Sequence, residues 1–389
     1  MTRRSAAVLA FLLIACGGSH PDTGQGPTSR PTASTAPPTP VASATPSPNT
    51  AQSPNADLPV TKVDFSCRLP VVTMVNRTGG DAGITFQGGF ITLPAAQLTD
   101  DPAGTMRSRY PEEGFATTAA PVLIGSGGYP FYDRAQSRWV PVPPSQAEAD
   151  GRTYSYVLTA LGTSLSKAYV VNVASGGAQA FDLPTPERPS VADYSASGVY
   201  LLSQSAIGGP SQGVWLLNPA TGNVTQLRNL GWVWAVRDGY AWVGRFDSQD
   251  KTVWPPMEIA PLNSLVRIDL ATGAETTWFY QAGRYPWMMG LASRGRPVVA
   301  VGGPDGQEVR VITQPGSPGD AVYTDRGGGF FNVVEGDGDR IWVGSATGIY
   351  LYRPDRGFQK VFSYSVDPST FTCAPCRSQS VIEPAGFCS

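Results

Sequence analysis

Apolar and polar positions follow one recurring unit along most of this chain. Residues 214–227 and 265–278 each read as an apolar strand, a polar turn of the Ala-Thr-Gly type and a second strand. Looser copies of the unit occupy residues 131–142, 169–181, 309–323 and 349–362. A supersecondary unit that recurs along a chain predicts a repeat architecture, because each unit must bury its apolar face against a neighbour.

The spacing of the units indicates which architecture this is. The polar residue that ends the first strand of each unit serves as a marker, and the markers are Asp133, Asn172, Asn218, Asp269, Thr313 and Arg353. Successive markers are 39, 46, 51, 44 and 40 residues apart. Strand-rich units of about 40 to 50 residues are typical of β-propeller blades. The sequence therefore predicts an all-β fold, a β-propeller whose blades each have four antiparallel strands.

The number of blades depends on the segment before the first marker. Residues 69–93 contain two further β-rich runs, which supply one more, degenerate blade. Counting that blade predicts seven, and six is the alternative. The half-units at residues 234–244, 289–302 and 332–344 each read as strand, Gly-containing turn and strand. Glycine suits such turns because it tolerates the positive φ that tight hairpins require.

These units resemble the blades of WD40-like, TolB-like and YVTN-type propellers. Residues 149–154, Ala-Asp-Gly-Arg-Thr-Tyr, are similar to the Pro-Asp-Gly-Arg turn of TolB-like repeats, with Ala in place of Pro. The Trp-Asp and Gly-His signatures of true WD40 repeats do not occur in the sequence, so the partners of that family are not implied. Since propellers host many unrelated functions, the resemblance implies a fold and leaves the function open.

The N-terminus has the pattern of an export signal. Arg3 and Arg4 precede an apolar run at residues 6–15 that is too short to span a bilayer. The run ends in Leu-Ile-Ala-Cys, which resembles the lipobox of bacterial lipoproteins. That resemblance implies a signal peptide at residues 1–15 and a lipid on Cys16. An ordinary secretory signal with an incidental cysteine is the alternative.

The composition divides the mature chain into a tether and a folded domain. Residues 16–58 are rich in Pro, Ser and Thr and have almost no large apolar side chains, which predicts a disordered, extended segment. Residues 60–389 form the predicted propeller, with a cysteine-containing C-terminal tail. We expect a monomer in the bacterial cell envelope, anchored by its lipid to the outer face of the cytoplasmic membrane.

Four cysteines remain after Cys16, an even number in a domain expected to be exported. Cys67 lies at the start of the domain, and Cys373, Cys376 and Cys388 lie at its end. If all four are paired, Cys67 joins one of the other three and a disulfide ties the two ends together; the sequence leaves three pairings open. The Cys373-Ala-Pro-Cys376 spacing also suits a redox motif or half of a zinc site. A Pro-rich tail without a βαβ context favours structural disulfides instead.

The histidine content limits the chemistry. The chain has one histidine, His20, and it lies in the predicted tether. A folded domain without imidazole excludes Ser-His-Asp and Cys-His nucleophile pairs and every His metal site. We therefore predict no catalytic residue, no cofactor and no metal. A net charge of −2 without a basic patch argues against nucleic acid as a partner.

Seven side chains at equivalent places in successive units form a candidate ligand face. They lie just before or within the predicted innermost strands and are Trp232, Trp234, Arg284, Tyr285, Trp287, Phe330 and Phe331. In a propeller these places gather on one face around the central channel, where rigid aromatic rings give contact area at low entropic cost. The alternative is that the rings fill the wedge between neighbouring blades.

These features predict a membrane-anchored extracytoplasmic binding or interaction module for a protein, glycan or small ligand. The alternative is an exported hydrolase, lyase or quinoprotein-like oxidoreductase that uses carboxylate, Tyr and Arg chemistry without His. Two carboxylates converging with an arginine in the channel would favour that alternative.

Overall fold

The computed structural model describes residues 58–76, 84–108, 122–123, 130–159, 166–184, 189–204, 211–246, 262–292, 295–303, 306–325, 332–335, 339–345, 348–364 and 382–388. These residues form 27 β-strands in seven sheets and two short 3₁₀ helices, η1 (Pro102–Gly104) and η2 (Pro144–Gln146). The all-β prediction is therefore confirmed. Within these ranges no helix has the length and apolar character needed to cross a membrane.

Sheet 1 brings together the two ends of the described chain. Its strands are β1 (Cys67–Asn76), β2 (Ile84–Leu93), β3 (Gln97–Asp100), β4 (Met106–Ser108), β5 (Val122–Leu123) and β27 (Ile382–Pro384). β1 pairs antiparallel with β2 along its whole length, and its other edge pairs with β27. A disulfide between Cys67 and Cys388, whose Cα atoms are 5.6 Å apart, links the same two chain ends. The first and last strands therefore share one sheet.

Sheets 2 and 3 follow sheet 1 along the chain. Sheet 2 is the hairpin of β6 (Phe131–Asp133) and β7 (Arg138–Val140). Sheet 3 contains β8 (Thr153–Thr159), β9 (Ser166–Asn172) and β10 (Ala178–Leu183). Sheet 2 is joined to the end of the chain, because the Tyr132 amide donates at 2.6 Å to the carbonyl of Ala385, the residue that follows β27.

Sheets 4 to 7 are four-stranded antiparallel meanders with their strands in chain order. Sheet 4 contains β11 (Pro189–Ser195), β12 (Gly198–Gln204), β13 (Ser211–Leu217) and β14 (Val224–Arg228). Sheet 5 contains β15 (Trp232–Arg237), β16 (Tyr240–Arg245), β17 (Ser264–Asp269) and β18 (Glu275–Tyr280). Sheet 6 contains β19 (Tyr285–Ala292), β20 (Arg296–Gly303), β21 (Gly306–Val311) and β22 (Asp320–Asp325). Sheet 7 contains β23 (Asn332–Glu335), β24 (Ile341–Ser345), β25 (Gly348–Arg353) and β26 (Gly357–Ser363).

One irregularity recurs in all four meanders. The last strand of each carries an extra residue opposite the third strand, and these residues are Leu227, Trp278, Val322 and Val361. A bulge of this kind increases the right-handed twist of the strand that carries it. Since the bulge sits at the same place each time, the four sheets twist alike.

The predicted markers begin the turns between the last two strands. A side-chain oxygen of Asp133, Asn172, Asn218 and Asp269 in each case accepts the backbone N–H groups two and three residues further on. These are Asx turns, in which the side chain replaces a backbone acceptor. The positive φ expected of the turn glycines is confirmed at Gly222 and Gly273, at 75° and 80°.

Apolar cores fill the spaces between neighbouring sheets. One cluster joins Trp242 and Trp278 of sheet 5 to Met288 and Val299 of sheet 6. Similar clusters join sheet 3 to sheet 4 and sheet 4 to sheet 5. The first strands β11, β15, β19 and β23 also contact one another in chain order. The sheets therefore stack in succession, as the predicted propeller requires, and the number of blades stays a prediction.

Candidate functional site

The structure divides the predicted ligand face between core and surface. The Trp234 ring covers Gly244 and packs, half-buried, against the core between sheets 5 and 6. Trp287, by contrast, is 60% exposed and Tyr285 is 37% exposed. Phe330 and Phe331 lie outside the described residues.

Trp232 and Tyr285 occupy equivalent positions at the starts of β15 and β19. Trp232 pairs with Gly244 of the next strand, and Tyr285 pairs with Gly302 in the same way. A Cβ atom on Gly302 would collide with the Tyr285 ring, and one on Gly303 would collide with the Arg284 side chain. Gly302 and Gly303 therefore leave room for the Tyr285 and Arg284 side chains to lie across β20.

Exposed aromatic side chains concentrate at one end of sheets 5 and 6. Six large hydrophobic side chains are exposed among the residues that the structure describes, and four of them lie at this end: Phe246, Tyr280, Tyr285 and Trp287. We call these four the aromatic edge. Phe246 and Tyr280 are 48% and 41% exposed. Isolated exposed apolar residues are ordinary, but several in one place are typical of a binding surface.

The strand register places the members of the aromatic edge at the same end of sheets 5 and 6. Tyr280 pairs with Ser264, and Ser264 pairs with Arg245, which directly precedes Phe246. A turn closed by the Arg284 N–H bond to the Gln281 carbonyl, at 3.1 Å, then leads from β18 into Tyr285. Phe246 and Tyr280 were not among the predicted residues, although Tyr280 ends β18 and Phe246 directly follows β16, both at the same end of the sheet as Trp232.

The structure also contains one buried carboxylate with an altered pKa. Burial raises the pKa of Asp193 to about 6, and the nearby Asp238 charge acts in the same direction. The backbone N–H of Asp238 donates to Asp193 at 3.2 Å, and Arg237 lowers the pKa in opposition. Two acids and an arginine are the groups that carboxylate catalysis would use. However, Asp193 is only 5% exposed, and its carboxylate accepts the hydrogen bond that fixes the β15–β16 turn of sheet 5. Its role is therefore structural.

The remaining predicted chemistry can be placed only in part. No cluster of three or more His, Cys, Asp or Glu side chains suited to a metal ion occurs within the described ranges. Cys67 and Cys388 are joined in a disulfide. The other predicted sites, Cys16, Cys373 and Cys376, lie outside the described residues, as does His20.

No protein-family model and no curated protein sequence matches the chain. Among solved structures, it is similar to TolB from Acinetobacter baumannii, with 14% identity and a TM-score of 0.36 over 78% of this chain and 64% of that one. It is also similar to the tricorn protease, with 14% identity and a TM-score of 0.38 over 78% of this chain and 27% of that one. A third similar structure is the β-propeller domain of the Trilobed protease from Pyrococcus furiosus, with 9% identity, a TM-score of 0.38 and coverage of 76% and 89%.

The chain spans less than two thirds of the length of TolB and of the tricorn protease. All three TM-scores lie below 0.5, so these likenesses carry no functional argument. The description of the fold rests on the sheets and their order.

Proposed function

We propose that this chain is a lipid-anchored, extracytoplasmic β-propeller that acts as a binding module, and that the aromatic edge receives its partner. The observation that carries the proposal is the grouping of Phe246, Tyr280, Tyr285 and Trp287 at one end of two adjacent sheets. A partner that covers several large aromatic rings removes their apolar surface from water, and this burial favours binding.

The sheet order supports the propeller part of this proposal. Four meanders follow one another with contacts between their first strands, and β27 pairs with β1. In a ring of seven blades, β27 would serve as the innermost strand of the blade that contains β1. The β6–β7 hairpin and sheet 3 would supply the two remaining blades.

The surroundings of the aromatic edge favour a mixed surface with a polar margin. Arg245 forms an ion pair with Glu275 at 3.3 Å beside Phe246. The half-buried Arg284 precedes Tyr285. An apolar centre bordered by charged groups is typical of protein interfaces and of sites for amphipathic ligands. The proposed partner is a protein, a glycan or a small ligand that offers an apolar surface to these rings.

A binding comparison tests the proposal. Partners of the full-length protein would first be identified by photocrosslinking from positions 246 and 287, together with glycan and peptide arrays. The doubly substituted variant Tyr280→Ala/Trp287→Ala is expected to bind the identified partner at least tenfold more weakly than the unsubstituted protein. The free energy of unfolding should change by no more than about 0.5 kcal/mol, because both side chains are exposed.

Phe387→Ala provides a matched control, since Phe387 is an exposed aromatic residue that lies at the end of sheet 1. It should leave binding unchanged. Equal affinity of the double variant and the unsubstituted protein would refute the aromatic edge as the binding site.

A further inference from the structure

One charged side chain occupies a position that is apolar in the other marked units. Two residues before the marker, the first strand of each unit directs a side chain toward a neighbouring sheet. In sheet 5 this residue is Arg267, which pairs with Trp242 on the side of the sheet that faces sheet 6. The other five units have apolar residues here, and each packs in a cluster with a neighbouring sheet: Phe131, Val170, Leu216, Val311 and Leu351. Arg267 is therefore the exception among the six.

Three aromatic rings lie close to the Arg267 guanidinium group. Its Cζ atom is 4.6 Å from the centroid of the Tyr240 ring, 5.2 Å from that of Trp278 and 6.0 Å from that of Trp242. Aromatic faces attract a guanidinium group by its charge and stack on its plane. The N–H groups point outward in that plane, so contact with the rings leaves them available to an acceptor.

No acidic side chain neutralises this charge. Within the described ranges neither a hydrogen bond nor an ion pair reaches Arg267. Glu275, on the neighbouring strand β18, pairs with Arg245 at 3.3 Å. Glu308 faces sheet 5 from sheet 6, and it pairs with Arg310 at 2.5 Å. The side chains that face each other across these two sheets therefore include two arginines and one glutamate, an excess of positive charge.

A second hydrogen-bond donor beside Arg267 also has no acceptor. Trp278 is only 6% exposed, and its Nε1–H group makes no hydrogen bond within the described part of the chain. The ring is held in place, because it meets Trp242 edge to face with the centroids 4.9 Å apart. Trp215 and Trp342 have Nε1–H groups without an acceptor too, but no described cation lies over either ring. Trp278 differs from them in lying against an unpaired guanidinium group.

Both unfilled groups are donors, and this defines what would complement them. A buried donor without an acceptor costs free energy, which an acceptor recovers. A guanidinium group recognises carboxylates and phosphates through charge-assisted, parallel hydrogen bonds. The complementary group is therefore an acceptor that carries negative charge.

We propose that Arg267 and Trp278 form a binding site for one oxyanion, a carboxylate or a phosphate group, between sheets 5 and 6. The Arg267 N–H groups and the Trp278 Nε1–H group donate to its oxygens. The rings of Tyr240 and Trp242 hold the guanidinium group in place through its face.

The proposed site is separate from the aromatic edge. Arg267 lies three residues along β17 from Ser264, the pairing partner of Tyr280, which corresponds to about 10 Å of strand. Binding of an oxyanion at Arg267 can therefore be tested independently of the function proposed for the aromatic edge.

Acetate, inorganic phosphate and the neutral acetamide are suitable probes, titrated into the full-length protein at constant ionic strength. In protein with ¹⁵N-labelled tryptophan, the Trp278 indole resonance is the one that disappears in Trp278→Phe. It should shift saturably with acetate or phosphate and should not respond to acetamide. Tighter binding of phosphate than of acetate would identify a phosphate group as the occupant, and the reverse order a carboxylate.

Arg267→Leu installs the residue that sheets 4 and 7 have at this position. It should weaken anion binding about tenfold, because the charge-assisted bonds are lost. The thermal midpoint in anion-free buffer should stay unchanged or rise, because an apolar side chain replaces a half-buried, unpaired charge.

Arg267→Lys keeps the charge but lacks the planar fork, so its affinity should lie between those of the unsubstituted protein and Arg267→Leu. It carries the test if Arg267→Leu does not fold. Arg152→Gln and Trp287→Ala are the controls, since Arg152 is largely exposed and Trp287 belongs to the aromatic edge. Neither control should alter anion binding.

Three results would overturn the proposal: no saturable shift at tens of millimolar acetate or phosphate, equal responses to acetate and acetamide, or an unaltered anion response in Arg267→Leu. A lower thermal midpoint in Arg267→Leu, together with no anion response in the unsubstituted protein, would show that the arginine serves only to cover the tryptophan rings.

Discussion

Arg228 ends the last strand of sheet 4, and its Nε–H group donates to the Leu270 carbonyl in the Asx turn of sheet 5, at 3.2 Å. A second bond runs from the same guanidinium to Ala271 at 3.0 Å. Gly273 leaves room for this contact, because a Cβ there would lie 3.0 Å from the guanidinium carbon. The Ala-Thr-Gly turn therefore closes a hairpin and also fastens one sheet to the next.

Other neighbouring sheets make corresponding contacts by different means. Arg138 donates from the last strand of sheet 2 to Val173 in the turn of sheet 3. The Gly316 amide in the turn of sheet 6 donates to the Trp278 carbonyl in the last strand of sheet 5, at 3.2 Å. In each case the turn of one sheet rests on the outer strand of the sheet before it.

Replacing Arg228 with methionine should destabilise the protein by about 1 to 3 kcal/mol, because two charge-assisted bonds are lost, one of them partly buried. Chemical denaturation followed by circular dichroism would measure the change. Arg152→Met is the control, since Arg152 is largely exposed and lies 3.7 Å from Asp150. It should change the free energy of unfolding by less than about 0.5 kcal/mol. Equal losses in the two variants would contradict the role given to Arg228.

The features that could be predicted from the sequence are those formed by residues close together in the chain. The Asx turns could be recognised because the oxygen of Asn218 or Asp269 and the N–H groups it accepts lie within four residues of one another. The partner of Arg228 could not, because it lies 42 residues further along the chain. β27 has three residues and thus no recognisable periodicity, so its pairing with β1 also required the structure.

The different exposure of Trp234 and Trp287 follows from the position of the β-bulge in their strands. Trp234 and Trp287 lie at the same distance from the starts of their strands, yet Trp234 is half-buried against the core and Trp287 is exposed. The bulge of β15 falls at Trp234, whereas that of β19 falls at Met289, after Trp287. A bulge redirects the side chains at its position. Composition gives no sign of this shift.

Gly344 is expected to be essential for seating the C-terminal strand. A Cβ atom on Gly344 would lie 2.7 Å from the Ile382 carbonyl oxygen and 3.0 Å from the Pro384 ring, both in β27. Because Ile382 is held in the sheet, Gly344→Ala should cost about 1 to 3 kcal/mol of stability. Gly231→Ala is the control, since its Cβ would meet only the end of Arg245 at 3.7 Å. Hydrogen exchange of β27 should accelerate in the first variant alone; unaltered exchange would show that the strand yields easily.

The Cys67–Cys388 disulfide is expected to stabilise the whole domain. It closes a loop across 321 residues of sequence, so its loss should cost about 2 to 5 kcal/mol. Cys67→Ser should therefore lower the thermal midpoint, and peptide mapping without reductant should recover Cys67 joined to Cys388. Cys373→Ser/Cys376→Ser is the comparison, and its effect should be smaller, because a disulfide between those two residues would close a loop of only a few residues. Recovery of Cys67 linked to Cys373 or Cys376 would contradict the pairing.

Asp193 is expected to make stability depend on pH. Its folded pKa of about 6 lies above the ordinary value of 3.8, because burial disfavours the charge. The folded state therefore binds this proton more tightly than the unfolded state. The stabilisation is fully present below about pH 4 and is lost as the pH rises through 6.

Asp193→Asn removes the charge and keeps an oxygen that can accept the Asp238 N–H bond. At pH 8 the variant should be about 1 to 3 kcal/mol more stable than the unsubstituted protein, since one unit of pKa shift is worth about 1.4 kcal/mol. Below pH 4 the two proteins should converge. Asp269→Asn is the matched control. Hydrogen bonds from Thr272 and from the Ala271 amide lower the pKa of Asp269, so its charge does not destabilise the folded state. Asn218 occupies the same turn position in sheet 4, so an asparagine fits there. It should bring no gain at pH 8. Denaturation curves at pH 4, 6 and 8 would decide, and a gain for Asp193→Asn that did not vary with pH would assign the effect to packing instead of charge.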